Sequence, residues 1–285
     1  VPPVHLDKRY RLVPVGVAVV LSCGSCPAWN AYPAILASLA TGNPVVVKPH
    51  PDTILPVAIA VRTGRAVLAE AGFDPNLLTL ACDTWDAPVA MALFDRPETR
   101  IIDFTGGQGF GRWIEQNQRD KQVYTETAGC NSVVLESAVD LDAALRAIAY
   151  GLVLFSAQMC TAPQNIWIPR TGVVDGGTLV PPDEVAARLV AAVDALVADP
   201  KVAAALCGAL HSDKTVDEMA ALRATAGDRV LRSGAPYAHP EHPGARTATP
   251  LLVRLDAADR GLCQREQFGP MGFLIEAEDR SAALA

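Results

Sequence analysis

Two residues have the right chemistry for attack on an electrophilic carbon. Cys160, in LFSAQMCTAPQN (154–165), is a thiol at the end of an apolar helical pattern, just before a proline and a strand. A thiol at an element end, flanked by Gln158 and Thr161, can open into a cleft and act as a nucleophile. Glu126, in YTETAGCN (124–131), is a carboxylate among small and apolar neighbours, a candidate general base. Taken one at a time, a capping Glu and a buried structural Cys are the commoner roles for such residues.

A second thiol motif competes. SCGSCPAWN (22–30) frames a C-x-x-C between Cys23 and Cys26. A papain-type site needs a histidine roughly 130–150 residues downstream. The histidines are His5, His50, His211, His239 and His242, and none falls in that window. A zinc site needs four ligands, and there is no second C-x-x-C and no H-x-x-x-H, so no metal is expected. A thioredoxin-like redox pair fits the strand-before, helix-after setting, but the chain is far too long for that small fold alone. The favoured reading is a strand-to-helix turn whose small residues let something approach closely.

These residues sit on an alternating pattern. VGVAVVLS (15–22), NPVVVKP (43–49), LLTLAC (77–82) and RIIDFTG (100–106) read as strands, separated by helices over 28–41, 53–71 and about 86–94. The order β-α-β-α predicts an α/β fold with a doubly wound parallel sheet. The last strand runs into FTGGQGFGRWIE, where Gly106 and Gly107 precede a helix. A glycine turn at a helix N-terminus suits a pyrophosphate, and equally suits an ordinary βα turn. Further on, strands are expected at 132–137, 164–169, 249–255 and 272–277, with helices at 141–157, 182–198 and 214–226. A boundary near residue 130 predicts two domains, 1–129 and 130–285.

Composition narrows the function. Half of the 285 residues are hydrophobic and 19% are charged, as in a globular chain with a large core. A net charge of −7 argues against nucleic acid or an anionic membrane as a general partner. Residues 13–47 carry no charge, but prolines and glycines cut the run into pieces too short to span a bilayer. Seven cysteines are odd in number and sparse for a disulfide scaffold, which favours free thiols and a cytoplasmic location. No charged-then-apolar leader follows Val1.

Six segments, in order, resemble the motifs of the aldehyde dehydrogenase superfamily. They are PVGVAVV (14–20), LATGNPVVVKP (39–49), FTGGQGFGR (104–112), ETAGCN (126–131), AQMC (157–160) and EQFGPMG (266–272). They resemble the family's P-x-GV, GN-x-VV-x-KP, FTGS, ELGGKN, GQ-x-C and E-x-FGP. The 34 positions from Glu126 to Cys160 also match. The resemblance implies an aldehyde dehydrogenase-like fold: a doubly wound cofactor domain, here partial, and an α/β catalytic domain without its C-terminal arm. It implies Cys160 as nucleophile and Glu126 as the base that activates water. It also implies Lys48 at the adenosine ribose, Gly106 and Gly107 at the pyrophosphate, and Glu266 and Phe268 at the nicotinamide ribose. A homo-oligomer is expected of the full-length protein, since relatives are usually dimers or tetramers.

Departures from the family pattern matter. Where the family usually has an oxyanion-donating Asn, register from both sides gives Ser25, while Asn30 is the chemical match five residues on. Ala128 and Cys130 replace a Gly and a Lys of ELGGKN. Pro51 stands where NAD-preferring members often have a Glu, and Lys48 and His50 are near. That combination favours NADP over NAD as the cofactor. SCGSCPAWN and KPHPDT look most like the phenylacetic acid degradation branch (PaaN type). The branch implies oxidation of an aldehyde to a carboxylic acid, with a CoA-linked semialdehyde as the small-molecule substrate. Three alternatives stay open: a CoA-acylating dehydrogenase, a catalytically impaired binding or regulatory relative, and a thiol redox protein using Cys23 and Cys26.

Overall fold

The computed structural model describes residues 6–127 and 129–284. Ala128, at the first glycine position of the ELGG-like motif, and His5 lie outside the described residues. The chain divides into two compact units, one ending at Thr127 and one following it.

The first unit alternates strand and helix. Its elements are β1 (Val17–Leu21), α1 (Pro27–Ala40), β2 (Val45–Lys48), α2 (Ile54–Glu70), β3 (Leu78–Leu80), α3 (Ala90–Phe94), β4 (Thr99–Gly106), α4 (Gln108–Asn117) and β5 (Gln122–Thr127). All strands are parallel, in the order β3-β2-β1-β4-β5. Because side chains alternate along a strand, the central strands carry apolar residues on both faces. Val20, Val47 and Ile101 pack with Ile35, Val57 and Val61 of α1 and α2. Val19, Ile102 and Phe104 pack with Phe94 and Ile114 of α3 and α4 on the other side. The sheet is therefore doubly wound, as the pattern predicted.

The second unit contains β6 (Ser132–Val134), β7 (Ser137–Ala138), α5 (Leu141–Val153), β8 (Asn165–Pro169), β9 (Val173–Asp175), β10 (Thr178–Val180), α6 (Pro182–Val197), α7 (Pro200–Cys207), α8 (Asp213–Ala226), β11 (Val230–Arg232), β12 (Leu251–Asp256), α9 (Arg260–Cys263), β13 (Met271–Ala277) and α10 (Arg280–Leu284). Its main sheet has the order β11-β12-β13-β8-β6, parallel except for the β11–β12 pair. Leu145, Leu152 and Leu189 of α5 and α6 cover one face with Ile166 and Ile168. Met219 and Leu222 of α8 pack on Val253 and Phe273 on the other.

Three expectations change. The helix expected over 141–157 ends at Val153, because Phe155, Ser156 and Ala157 take left-handed φ values of 51°, 54° and 50°. A right-handed helix cannot continue through such residues. The strand expected at 132–137 is two short strands that pair with different sheets, β6 with β8 and β7 with β9. The third helix shortens to Ala90–Phe94, after a turn in which Asp83 Oδ2 accepts from the Val89 N–H at 3.2 Å.

Close packing of α4 on the sheet depends on glycine. A Cβ on Gly111 would lie 2.4 Å from Thr127 Cγ2 and 3.4 Å from the Phe104 ring. Gly111→Ala is expected to push α4 off β4 and β5 and to cost about 2 kcal/mol, read as a lower denaturant midpoint at unchanged slope.

Candidate active site

In a parallel sheet, ligands bind outside the carboxyl ends of the strands, where the strand order reverses. Here the reversal lies between β1 and β4. The loop after β1 is CGSC and the turn after β4 is Gly106–Gly107, so the two motifs singled out in the first unit flank one switch point. Gly107 is the N-cap of α4, with no side-chain cap, and a Cβ there would meet nothing within 4 Å. Among the described residues, three buried side-chain oxygens at this carboxyl edge have no hydrogen-bond partner. They are Ser22 Oγ after β1, Thr53 Oγ1 before α2 and Asp83 Oδ1 after β3. Orphaned polar atoms grouped at one strand edge, next to open helix N–H groups, fit a polar ligand such as a dinucleotide.

Lys48 ends β2. Its ammonium lies 2.7 Å from Asp83 Oδ1, although off the direction of a hydrogen bond. His50 stacks edge-on against Trp85, with ring centroids 5.2 Å apart. Burial, above all, holds His50 below the ordinary histidine value.

The C-x-x-C forms a strand-to-helix turn. Cys26 is the N-cap of α1 and its N–H donates to Cys23 Sγ at 3.4 Å. Ser25 Oγ lies 3.9 Å from the same sulfur. Asn30 sits in the first turn of α1, where its N–H donates to Cys26 O. A helix start usually lowers a thiol pKa, but burial raises that of Cys26, with Cys23 and then Glu126 adding to the rise. That is opposite to what a reactive redox thiol needs. All seven cysteines are free thiols. Among the described residues no cluster of three or more His, Cys, Asp or Glu could hold a metal.

Glu126 is exposed near the end of β5. Register pairs Thr105 with Glu126 and Asp103 with Tyr124, so Asp103 and Glu126 share one face of the sheet. Burial, and then Glu126, push the Asp103 carboxyl up to about 6. Asp103 was not anticipated as a site residue. The motif IIDFTGG contains it, and an acid in a buried strand was the available signal.

In the second unit, Cys160 follows the left-handed turn. Ser156 Oγ donates to Cys207 O at 2.9 Å, and the Gln158 amide donates to Phe155 O and Ala209 O at 3.1 and 2.9 Å. The Asn131 amide donates to Cys160 O at 2.5 Å and to Ala162 O at 3.0 Å. Asn131 O in turn accepts from the Gln164 and Asn165 N–H groups. Gln164 Oε1 accepts from the Gln267 N–H at 2.7 Å, tying the loop to the segment of Glu266 and Phe268. Met159, Ala162, Gln164, Glu266 and Phe268 line one depression. Burial, then Glu218, raise the Glu266 carboxyl pKa. His211 meets the Phe268 ring edge-on at 5.9 Å. Thus the structure places the Cys160 loop beside Glu266 and Phe268 in the second unit. Ser25, Asn30, Lys48, His50, Gly106, Gly107 and Glu126 belong to the first unit.

Asp103 carries a pH signature. Its native pKa is raised above the unfolded value of about 3.9, so the native state binds the extra proton. Its contribution is full below about pH 4 and is lost as pH rises through about 6. Asp103→Asn should therefore flatten stability between about pH 4 and 6. At pH 7 it should stabilise by about 1–2 kcal/mol, allowing for solvent screening. Urea melts across that range check it.

Residues 5–285 match the model of the aldehyde dehydrogenase family. A 1-pyrroline-5-carboxylate dehydrogenase of Bacillus cereus is 28% identical over 98% of this chain and 53% of its own length. The crystal structure of an NAD-dependent aldehyde dehydrogenase from Burkholderia multivorans is 46% identical. It superposes with a TM-score of 0.91 over 95% of this chain and 49% of that one. An NAD-dependent benzaldehyde dehydrogenase from Corynebacterium glutamicum is 25% identical with a TM-score of 0.71, over 94% of this chain and 55% of that one. This chain spans about half the length of the relatives it matches. With the α/β fold, the ordered motifs and a match over nearly every residue, the chain belongs to the aldehyde dehydrogenase family.

Proposed function

We propose that the protein oxidises an aldehyde to a carboxylic acid through a thioester on Cys160, using NAD or NADP. The observation that supports this reading is the loop of Cys160, shaped by a strained turn and the Asn131 clamp, whose Met159 and Ala162 line one depression with Glu266 and Phe268. Strained backbone held in place by its surroundings is typical of functional sites.

In this reading Cys160 Sγ, as thiolate, attacks the carbonyl carbon and forms a hemithioacetal alkoxide. Ser25 or Asn30, with backbone N–H groups, donates to that oxygen. The bound dinucleotide supplies the acceptor for the hydride lost from the former carbonyl carbon. Lys48 and Gly106–Gly107 hold its adenosine ribose and pyrophosphate, and Glu266 and Phe268 orient the nicotinamide end. The alkoxide re-forms C=O and leaves a thioester on Cys160. Glu126 then takes a proton from water, the water oxygen attacks the thioester carbon, and the Cys160 thiolate departs. His50 borders the adenosine site and does not react.

A base that activates water favours hydrolysis over transfer to CoA. The finer substrate reading, a CoA-linked semialdehyde of aromatic degradation, is supported by the SCGSCPAWN and KPHPDT segments. An aromatic aldehyde is also the substrate in the name of the Corynebacterium glutamicum neighbour. No helix among the described residues is long and apolar enough to cross a membrane.

A panel of free and CoA-bound aldehydes, assayed with each nicotinamide cofactor, tests the reading. Cys160→Ala should lower turnover by at least about a thousandfold. Ser25→Ala should lower it by roughly tenfold to a hundredfold if that hydroxyl serves the oxyanion. Full dehydrogenase activity in Cys160→Ala rejects the mechanism. Acyl-CoA product in the presence of free CoA moves the protein to the acylating class.

A further inference from the structure

The acid expected of an NAD-binding site is absent at position 51, but another carboxylate occupies the same strand edge. Asp83 follows β3, and its side chain is 1% exposed against the 12% of Lys48. The two meet at 2.7 Å. Asp83 Oδ2 accepts from the Val89 N–H, which fixes the carboxylate, while Oδ1 faces the Lys48 ammonium. Ser22, whose N–H donates to Lys48 O at 3.1 Å, adds a buried oxygen without a hydrogen-bond partner among the described residues.

The surrounding charges point the same way. Asp52 approaches His50 at 3.9 Å, and Trp85 Nε1 donates to Asp52 Oδ1 at 3.1 Å. Burial favours the uncharged His50 ring. The edge therefore presents two carboxylates, one ammonium already compensated, and an imidazole biased to neutral. A ribose 2′-hydroxyl can donate to a carboxylate, whereas a 2′-phosphate adds about two negative charges beside it.

We propose that Asp83 is the specificity-determining acid of the dinucleotide site: by compensating Lys48 it withdraws the positive charge that would attract a 2′-phosphate, so that the protein binds NAD in preference to NADP. This rests on the dinucleotide site in the function proposed above. It turns the cofactor preference away from the one that Pro51, Lys48 and His50 suggested in the sequence. Asp83 takes the part of the missing acid from a different strand.

Direct binding tests it without turnover. Calorimetric titrations of the full chain with NAD, NADP, 5′-AMP and 2′,5′-ADP read the adenosine half separately from catalysis. The wild type is expected to bind NAD at least about tenfold tighter than NADP, and 5′-AMP tighter than 2′,5′-ADP. Asp83→Asn leaves Lys48 uncompensated and should narrow both ratios about tenfold, mainly by tightening the phosphorylated ligands. Should that variant fail to fold, Lys48→Gln with Asp83→Asn removes both charges together and avoids a buried unpaired ion. The double variant should still bind NADP relatively better than wild type does. Ratios unchanged in a folded Asp83→Asn, a relative loss of NADP in the double variant, or wild-type preference for the 2′-phosphate overturns the assignment of Asp83 alone. If the wild type binds none of the four ligands, the dinucleotide site itself fails and this inference fails with it.

Discussion

The second unit depends on one side-chain amide. Asn131 spans from the start of the unit to the loop of Cys160 and holds two of its carbonyls. Its own carbonyl accepts two N–H groups at the start of β8. Its side chain therefore satisfies two loop carbonyls, while its main-chain oxygen ties the same residue to the β6–β8 edge. Buried carbonyls without such a partner each cost about 1–3 kcal/mol. The loop can be irregular, and so can present a thiol, because that cost is met locally. Gln164 extends the clamp to Gln267, so the Cys160 loop and the Glu266–Phe268 segment are hydrogen-bonded together.

The first unit works through a different constraint. Parallel strands end on the same side, so every βα turn opens on a common edge. The loops after β1, β2, β3 and β4 need no long-range design to meet there; right-handed crossovers deliver them. What distinguishes this chain is the chemistry set on that edge. Ser25 stands in the β1 loop, an ion pair bridges the ends of β2 and β3, and Asp103 lies on the same sheet face as Glu126.

Much of this was legible from residue types and spacing. Apolar runs bounded by Gly and Pro gave the parallel strands to within a few residues, and six ordered motifs pointed to the family. The differences have more than one cause. Phe155, Ser156 and Ala157 carry no sequence mark of left-handed backbone, since tertiary hydrogen bonds impose it. β5 has an alternating pattern of exposed and half-buried residues without an apolar run. The β9–β10 hairpin turns on Gly176–Gly177, both at positive φ, and VVDGGTLV carries that turn signal locally. Asp83 gains meaning only from the crossover that brings it to Lys48, 35 positions away in the chain (48 to 83).

The backbone around the thiol also sets how the protein can drift. Left-handed geometry costs an ordinary residue about 1–2 kcal/mol, so positions 155–157 together hold a sizeable share of a stability margin of about 5–15 kcal/mol. Neutral evolution there is a one-way street toward more permissive residues such as glycine or asparagine. Gly269 is the opposite case: φ is +154° and a Cβ would strike Thr215 at 2.4 Å, so the site admits no replacement without rearrangement. Relatives should thus drift toward permissive residues on one side of the depression and hardly change on the other, a contrast written by sterics before selection on chemistry begins.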